Sequence, residues 1–185
     1  VQMTPSSVAV QSVASTIILQ NTVSSPVNIF SATVSEPFGI SEMTDSFRDS
    51  LGALQVPAGG QLTLAAVCTP DSIGPFHSNL VIHSDAETEY LNLHLQCYGV
   101  PAGGSAIAAG NISGTWNAAA SPYYLCGDVA VAAGSRLDIG PGTEIVAMDV
   151  FTLSVGADAQ LVAQGALHDS VQFHAYDADA GWKGI

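Results

Sequence analysis

Short segments in which every second side chain is apolar, each ended by Gly or Pro, recur along this chain. Residues 61–68 read QLTLAAVC and residues 90–98 read YLNLHLQCY. Because the side chains of a strand alternate between two faces, this period of two predicts strands with one buried face. No segment shows the spacing of a long amphipathic helix, and there are few Lys, Arg and Glu residues to build one. The sequence therefore predicts an all-β fold.

The first hundred residues hold about seven such segments, separated by turn residues. Strands are predicted at 16–20, 27–34, 61–68, 78–84 and 90–98, and the last two form a hairpin around residues 85–89. An apolar and a polar face on each strand is typical of a β-sandwich. The predicted core of this region comprises Phe30, Leu62, Leu64, Leu80, Ile82, Leu91, Leu93 and Leu95.

Three stretches of this first region carry a family resemblance. TIILQNTVSSPVNI, VPAGGQLTL and CTPDSIGPFHSNLVIHSDAETEYLNLHLQCYG resemble the Hydin-type (ASH, or choice-of-anchor) immunoglobulin-like domains, over roughly residues 5 to 100. The resemblance implies an immunoglobulin-like sandwich at residues 1–100. This chain departs from the family pattern by placing Cys68 where an aromatic residue often stands and Cys97 in the final strand.

The amino-acid composition changes after residue 100. Residues 99–110 (GVPAGGSAIAAG) are small and uncharged, which predicts a linker at 101–110 between the sandwich and a second domain at 111–185. In the second domain Val129, Phe151 and Phe173 are spaced 22 residues apart, as are Gly134 and Gly156. A repeat of that length is typical of a β-solenoid coil. Its predicted core comprises Val129, Leu137, Ile139, Ile145, Phe151, Leu153, Leu161 and Phe173.

The motifs of this second domain occur in a recognisable order. GNISGTW, SPYYL, AGSRLDIGPGTEI and GWKGI resemble the opening of right-handed parallel β-helix regions in secreted bacterial proteins. The resemblance implies a short β-helix with a cap at its start, in which the GTW segment belongs to the cap. A helix of so few coils exposes unpaired strand edges, so we expect it to be continued by further chain or covered by a partner.

The charge of the chain is strongly unbalanced. Three Lys plus Arg against sixteen Asp plus Glu give a net charge of −13, which excludes nucleic acid as a partner because phosphates would be repelled. No run approaches the length of a transmembrane segment. The chain begins at Val1 with no leader-like residues, which, with the β-helix resemblance, predicts the mature form of a secreted, extracellular or cell-surface bacterial protein.

Three cysteines are distributed over the two regions. Cys68 and Cys97 both fall on the inward face of their strands, which predicts a disulfide in an oxidising compartment, with two buried free thiols as the alternative. Cys126 is then left over, as an unpaired thiol or the site of an intermolecular bond.

No cluster of residues has the spacing of a catalytic or cofactor site. The five histidines form no metal-ligand motif, although His83 and His94 are candidates for neighbours on the outer face of the hairpin. Acids such as Asp169, Asp177 and Asp179 are interpreted as solvated turn residues, with weak Ca²⁺ binding as the alternative. No catalytic residue, resident metal or cofactor is therefore predicted.

These observations favour a structural protein over an enzyme. The leading hypothesis is an extracellular or cell-surface assembly module, such as a filament or surface-layer subunit, that joins through strand edges by self-association or binds other surface proteins or glycans. The alternatives are an adhesin, or the N-terminal accessory region of a larger β-helix enzyme that degrades polysaccharides.

Overall fold

The computed structural model describes residues 2–3, 5–8, 12, 14–43 and 54–185 of the chain, without the side chains of residues 41–43. The chain divides into two units, Val1–Gly99 and Val100–Ile185. Strands dominate both units, and helix among the described residues amounts to one 3₁₀ turn, Ala118–Ala120. The predicted all-β class is confirmed. None of the helical structure in the described ranges has the length and apolar character needed to cross a membrane.

The first unit consists of two sheets. One sheet has the order β1-β8-β7-β3-β5 and the other the order β2-β6-β4. The strands are β1 (Ser6–Ser7), β2 (Ser15–Gln20), β3 (Val27–Thr33), β4 (Phe38–Met43), β5 (Leu54–Val56), β6 (Gln61–Cys68), β7 (Gly74–Ser84) and β8 (Tyr90–Val100). From β2 to β8 neighbouring strands pair antiparallel. The unit is thus an immunoglobulin-like β-sandwich.

Side chains from both sheets meet in one core. Leu62 and Leu64 of β6 and Leu80 and Leu95 of β7 and β8 are completely buried. Each contributes roughly 1.5–3 kcal/mol by leaving water. These four positions and Ile82 confirm the period-two prediction for β6, β7 and part of β8, because residues two apart in a strand share a face.

Three of the predicted core positions in this unit are wrong or only partly right. Phe30 is 59% exposed, because it follows Ile29, which packs against the core, and neighbouring side chains of a strand point to opposite faces. Leu91 is 40% exposed and Leu93 is half-buried. Burial along β8 increases from its first residues towards Leu95. The alternation of apolar residues therefore predicts more buried side chains at the start of this strand than the structure has.

A buried amide fixes the turn between β2 and β3. Asn21 Nδ2 donates to the carbonyl oxygens of Ser25, Val56 and Pro57 at 2.8–3.0 Å, and its Oδ1 accepts from Val23 N at 3.0 Å. The Asn21 side chain therefore ties the 21–26 turn to the turn that follows β5.

We expect Asn21→Ala to lower the free energy of unfolding of the sandwich by about 1–3 kcal/mol, because buried carbonyl groups lose their donor. Urea unfolding followed by circular dichroism measures the loss. Thr22→Ala, one residue along the same turn, is the control and is expected to change stability by less than about 0.5 kcal/mol. Equal stabilities of Asn21→Ala and the parent would contradict the role given to Asn21.

The second unit repeats three short strands per coil. Its strands are β9 (Ser105–Ile107), β10 (Gly110–Ile112), β11 (Gly114–Trp116), β12 (Tyr123–Leu125), β13 (Val129–Val131), β14 (Arg136–Ile139), β15 (Glu144–Ala147), β16 (Leu153–Val155), β17 (Gln160–Ala163) and β18 (Gln172–Ala175). They form three parallel sheets with the orders β10-β13-β16, β11-β14-β17 and β18-β15-β12-β9. Three stacked parallel sheets make a short parallel β-helix, as predicted.

Apolar ladders run through the coils of this unit. Tyr123 pairs with Ile145, and Ile145 with Phe173. On the other two sheets Val129 pairs with Leu153 and Leu137 with Leu161. Val129, Leu137, Ile145 and Leu153 are almost completely buried, whereas Leu161 and Phe173 in the later coils are half-buried. The interior of the β-helix is thus a packed core that becomes more open towards its last coil.

The coils do not share one length. The step is 22 residues from Tyr123 to Ile145, 24 from Val129 to Leu153 and 28 from Ile145 to Phe173. The uniform repeat inferred from Val129, Phe151 and Phe173 is therefore wrong, and Phe151 is half-buried beside the Leu153 ladder. Corners of different length between the strands account for the unequal steps.

The start of the β-helix differs from the prediction in two ways. Residues 105–107 lie within the predicted linker but form β9, which pairs in parallel with β12. The GTW segment, predicted as a cap, is β11 and pairs with β14 as an ordinary strand of the first coil. Trp116 in that strand is buried and stacks on Tyr123, with ring centroids 4.5 Å apart.

Candidate assembly edge

The last coil covers two of the three sheets of the β-helix. β18 extends one sheet beyond β15. On a second sheet, Lys183 N donates to Phe151 O at 3.0 Å and Leu153 N donates to Gly184 O at 3.1 Å. In the third sheet β17 is the terminal strand, and no strand within the described ranges pairs with its side away from β14. We call the side of β17 that faces away from β14, as the described residues leave it, the notch.

The backbone of β17 presents free hydrogen-bonding groups to this notch. Gln160 N donates to Ser135 O and Gln164 N to Ile139 O, both at 2.9 Å. Successive amides in a strand point to opposite sides, so the N–H groups of Leu161 and Ala163 point away from β14. A row of such groups is a template for another strand.

Apolar side chains beside the notch are only partly covered. Leu161, Val171, Phe173 and Trp182 pack against the β-helix core and are half-buried. The Phe173 and Trp182 rings stack with centroids 6.1 Å apart and an interplanar angle of 2°. A further strand beside β17 would bury the exposed part of these side chains, which favours strand addition at this edge.

An ion pair stiffens the outer face of the strand at the notch. Arg136 Nε donates to both carboxylate oxygens of Asp138 at 2.8–2.9 Å, and Arg136 Nη1 donates to Gln160 Oε1 at 2.7 Å. These hydrogen bonds from Arg136 hold the pKa of Asp138 below its usual range. Because Gln160 begins β17, the Arg136 side chain anchors the edge strand to the preceding coil.

The predicted cysteine residues lie in two different environments. Cys68 of β6 and Cys97 of β8 are buried and form a disulfide between the two sheets, with 6.6 Å between their Cα atoms. Cys126 is a buried thiol in the second unit, outside the disulfide, and its Sγ lies 3.5 Å from Tyr124 O. Burial raises the pKa of Cys126 to about 12, so the thiol stays protonated and unreactive at neutral pH.

The histidines of the sandwich are not arranged as the hairpin pattern suggests. His83 lies opposite Tyr90 and stacks on it, with ring centroids 4.6 Å apart. His94 lies opposite Asn79 and stacks on His77 at 5.4 Å. The antiparallel register thus separates His83 from His94 along the hairpin, and their predicted proximity is wrong.

Acidic side chains of the β-helix accept hydrogen bonds from backbone N–H groups. Asp177 Oδ1 accepts from the backbone N–H of Asp179 at 2.9 Å, and Asp128 Oδ1 accepts from Thr152 N at 2.8 Å. On the β-helix surface Glu144 Oε1 lies 2.6 Å from His174 Nε2. Within the described ranges no three His, Cys, Asp or Glu side chains are close enough to hold a metal ion together.

The open edge at β17 is a candidate site that side-chain motifs do not reveal. It depends on backbone groups of Leu161 and Ala163, and every residue has such groups. The available sequence signal is the run QLVA at residues 160–163 followed by the polar, Gly-containing stretch 164–170, which indicates a strand end.

Comparisons with known proteins leave the family open. No protein-family model matches the chain, and no curated protein matches it. Among solved structures, the ASH/PapD-like domain 7 of human CEP192 aligns at 15% identity and a TM-score of 0.38, over 55% of this chain and 81% of that one. The VesB protease of Vibrio cholerae aligns at 8% identity and a TM-score of 0.40, over 53% of this chain and 29% of that one. A family 123 glycoside hydrolase from Clostridium perfringens aligns at 12% identity and a TM-score of 0.38, over 56% of this chain and 25% of that one. Similarity at this level does not assign the chain to a family.

Proposed function

We propose that this chain is an extracellular or cell-surface structural module that assembles head to tail, with a strand of the next copy pairing beside β17. The observation that carries the proposal is the notch. There the N–H groups of Leu161 and Ala163 point away from β14 of the preceding coil, next to the half-buried Leu161 and Phe173. Strand addition satisfies the backbone groups and covers apolar surface in one step.

The parallel arrangement of the coils determines how copies would join. β11 is the other terminal strand of the sheet that ends in β17. A β11 strand docked beside the β17 strand of another copy would continue the sheet in the same direction. Such a contact joins two different surfaces and does not close on itself, so it generates filaments.

The net charge of −13 sets the conditions for assembly. Copies of this chain repel one another at low ionic strength, since nearly all formal charges have one sign. Salt screens that repulsion over a Debye length of about 8 Å at physiological ionic strength. We therefore expect self-association to strengthen as salt is raised, which is typical of contacts made by strand pairing and apolar burial.

One observation also favours the accessory region of a longer β-helix enzyme. The bonds from Lys183 N to Phe151 O and from Leu153 N to Gly184 O begin a further coil on the second sheet. In that case additional coils of the same polypeptide would occupy the notch, and this chain alone would associate through the exposed edge weakly or not at all.

Ala163→Pro tests the assembly proposal. Proline removes the N–H that points into the notch, and proline is tolerated at a strand edge that makes no bond there. We expect the parent chain to form concentration-dependent oligomers in sedimentation velocity at physiological salt. The variant is expected to associate about tenfold more weakly.

Ala163→Ser is the matched control, since it changes the same side chain and keeps the N–H. It is expected to assemble like the parent. A parent chain that stays monomeric at every concentration and salt level would overturn the proposal, and so would undiminished assembly of Ala163→Pro.

A further inference from the structure

A cleft opens at one end of the sandwich, where three chain reversals meet. Residues of the reversals 21–26 and 85–89 line it, and Asn21 is hydrogen-bonded to the reversal 57–60. The cleft has a volume of about 300 Å³. Its walls are mainly aliphatic and include Leu19, Val27, Ile29, Val56, Ile82 and Leu91. It therefore lies between the two sheets, as an extension of the core that is open to solvent.

The size and lining of this cleft suit a small organic group. Ligand sites in proteins span about 300–1,000 Å³ and are lined mostly by apolar side chains. An apolar cavity of about 150 Å³ accommodates benzene, so this volume suits a group of two fused rings. At the mouth Val23 is 50% exposed and Leu91 is 40% exposed. A bound apolar group would cover both side chains.

Asn21 gives the cleft a fixed wall. Its amide holds the 21–26 turn against Val56 and Pro57 through hydrogen bonds of 3.0 Å, and Asn21 itself lines the cleft. The wall is thus formed before any ligand binds, which reduces the entropy lost on binding.

The Asp and Glu side chains that the structure describes in and beside the cleft give it negative charge. Glu87 lines it, and Asp85 and Glu89 flank Glu87 in the same loop. Hydrogen bonds from the backbone and side chain of Asn28 hold the pKa of Asp85 below its usual range, so Asp85 is ionised at neutral pH. The described residues of the sandwich include no Lys or Arg. Among the described residues an anionic ligand would find no Lys or Arg, whereas a cation would find the exposed carboxylate of Glu87; Asp85 accepts from Asn28, and Glu89 lies 3.3 Å from His83.

We propose that this cleft binds a small organic cation whose apolar body enters between the sheets and whose ammonium group faces Glu87. The body corresponds to one or two rings, as in an arylalkylamine. This inference is independent of the assembly at β17, because the cleft and the notch belong to different units.

Three probes of the same shape test the proposal. Naphthylmethylammonium, naphthalenemethanol and naphthoate carry a positive, a neutral and a negative group on one ring system. Titrations followed by NMR shifts are expected to give the tightest binding for the ammonium, weaker binding for the alcohol and the weakest for the carboxylate. The largest shifts are expected at Val23, Ile82 and Leu91. The Glu87→Gln variant should reduce the preference for the ammonium over the alcohol about threefold, while alcohol binding is kept.

Leu91→Lys places a positive charge at the mouth and is expected to weaken binding of the ammonium most and that of the carboxylate least. Ile18→Lys is the matched control, because Ile18 is 58% exposed and does not line the cleft. If Leu91→Lys fails to fold, the preference of Glu87→Gln for the ammonium over the alcohol tests the proposal by itself. Equal binding of the three probes, shifts away from the cleft, or a charge preference unchanged in Glu87→Gln would each overturn the proposal.

Discussion

Reduction of the Cys68–Cys97 disulfide is expected to lower the free energy of unfolding of the sandwich by about 3–4 kcal/mol. The bond connects residues 29 positions apart and joins β6 of one sheet to β8 of the other. Without it, the unfolded chain gains the entropy of an open loop. Both cysteines are buried at the interface of the sheets, so reduction also leaves two thiols in a core shaped for a bond.

Urea unfolding with and without a phosphine reductant measures this loss, and residue-resolved hydrogen exchange assigns it to the sandwich. We expect the amides of β6, β7 and β8 to lose protection and those of β13 and β14 to keep it. The Cys126→Ala variant is the control, because it leaves the bond intact and should respond to reductant like the parent. A midpoint unaffected by reductant would show that the two thiols are not bonded in solution.

Leu137→Ala is expected to destabilise the β-helix by about 3–5 kcal/mol. Leu137 is completely buried, in the middle of the sheet β11-β14-β17, and pairs with Leu161 in the next coil. Its truncation removes apolar contacts from both neighbouring coils and leaves a cavity that the short strands cannot close. Because each coil is stabilised by its neighbours, we expect the loss to spread along the whole β-helix.

The emission of Trp116 and Trp182 during urea unfolding reports on this unit, since both tryptophans belong to it. Leu167→Ala is the matched control: the same change at a residue that is 86% exposed should cost less than about 0.5 kcal/mol. Similar losses for the two variants would contradict a core built on Leu137.

The sandwich strands were largely predictable because their pattern is a local property. Residues 61–68 were predicted to form a strand with these bounds, and β6 has them. β4 and β5 were not predicted, since β4 contains Gly39, which is unfavourable in strands, and β5 is only three residues long. The predicted burial of Phe30 departs from this alternation, because Phe30 follows Ile29, which packs against the core, and therefore lies on the outer face.

The β-helix was recognisable from the order of its motifs, but its register was not. The step from Tyr123 to Ile145 has the length suggested by the sequence, whereas the step from Ile145 to Phe173 is longer by the extended corner before β18. Corner residues are polar or small and have no fixed spacing, so they mask the repeat of the apolar ladders.

The candidate edge could not be located from the sequence for a different reason. Which strand ends a sheet depends on how all the coils stack. The strands β16 and β17 have similar short apolar segments, yet Phe151 and Leu153 beside or within β16 bond to residues 183–184, and β17 has no such partner among the described residues.

Hydrogen exchange at the amides of β17 tests most directly whether this edge is an assembly surface. In dilute solution we expect the amides of Gln160 and Gln164 to be protected by their bonds to β14, and those of Leu161 and Ala163 to exchange rapidly. At concentrations where the chain associates, Leu161 and Ala163 should become protected as well. Rapid exchange of these two amides within the assembled protein would contradict the account and place the contact between copies elsewhere.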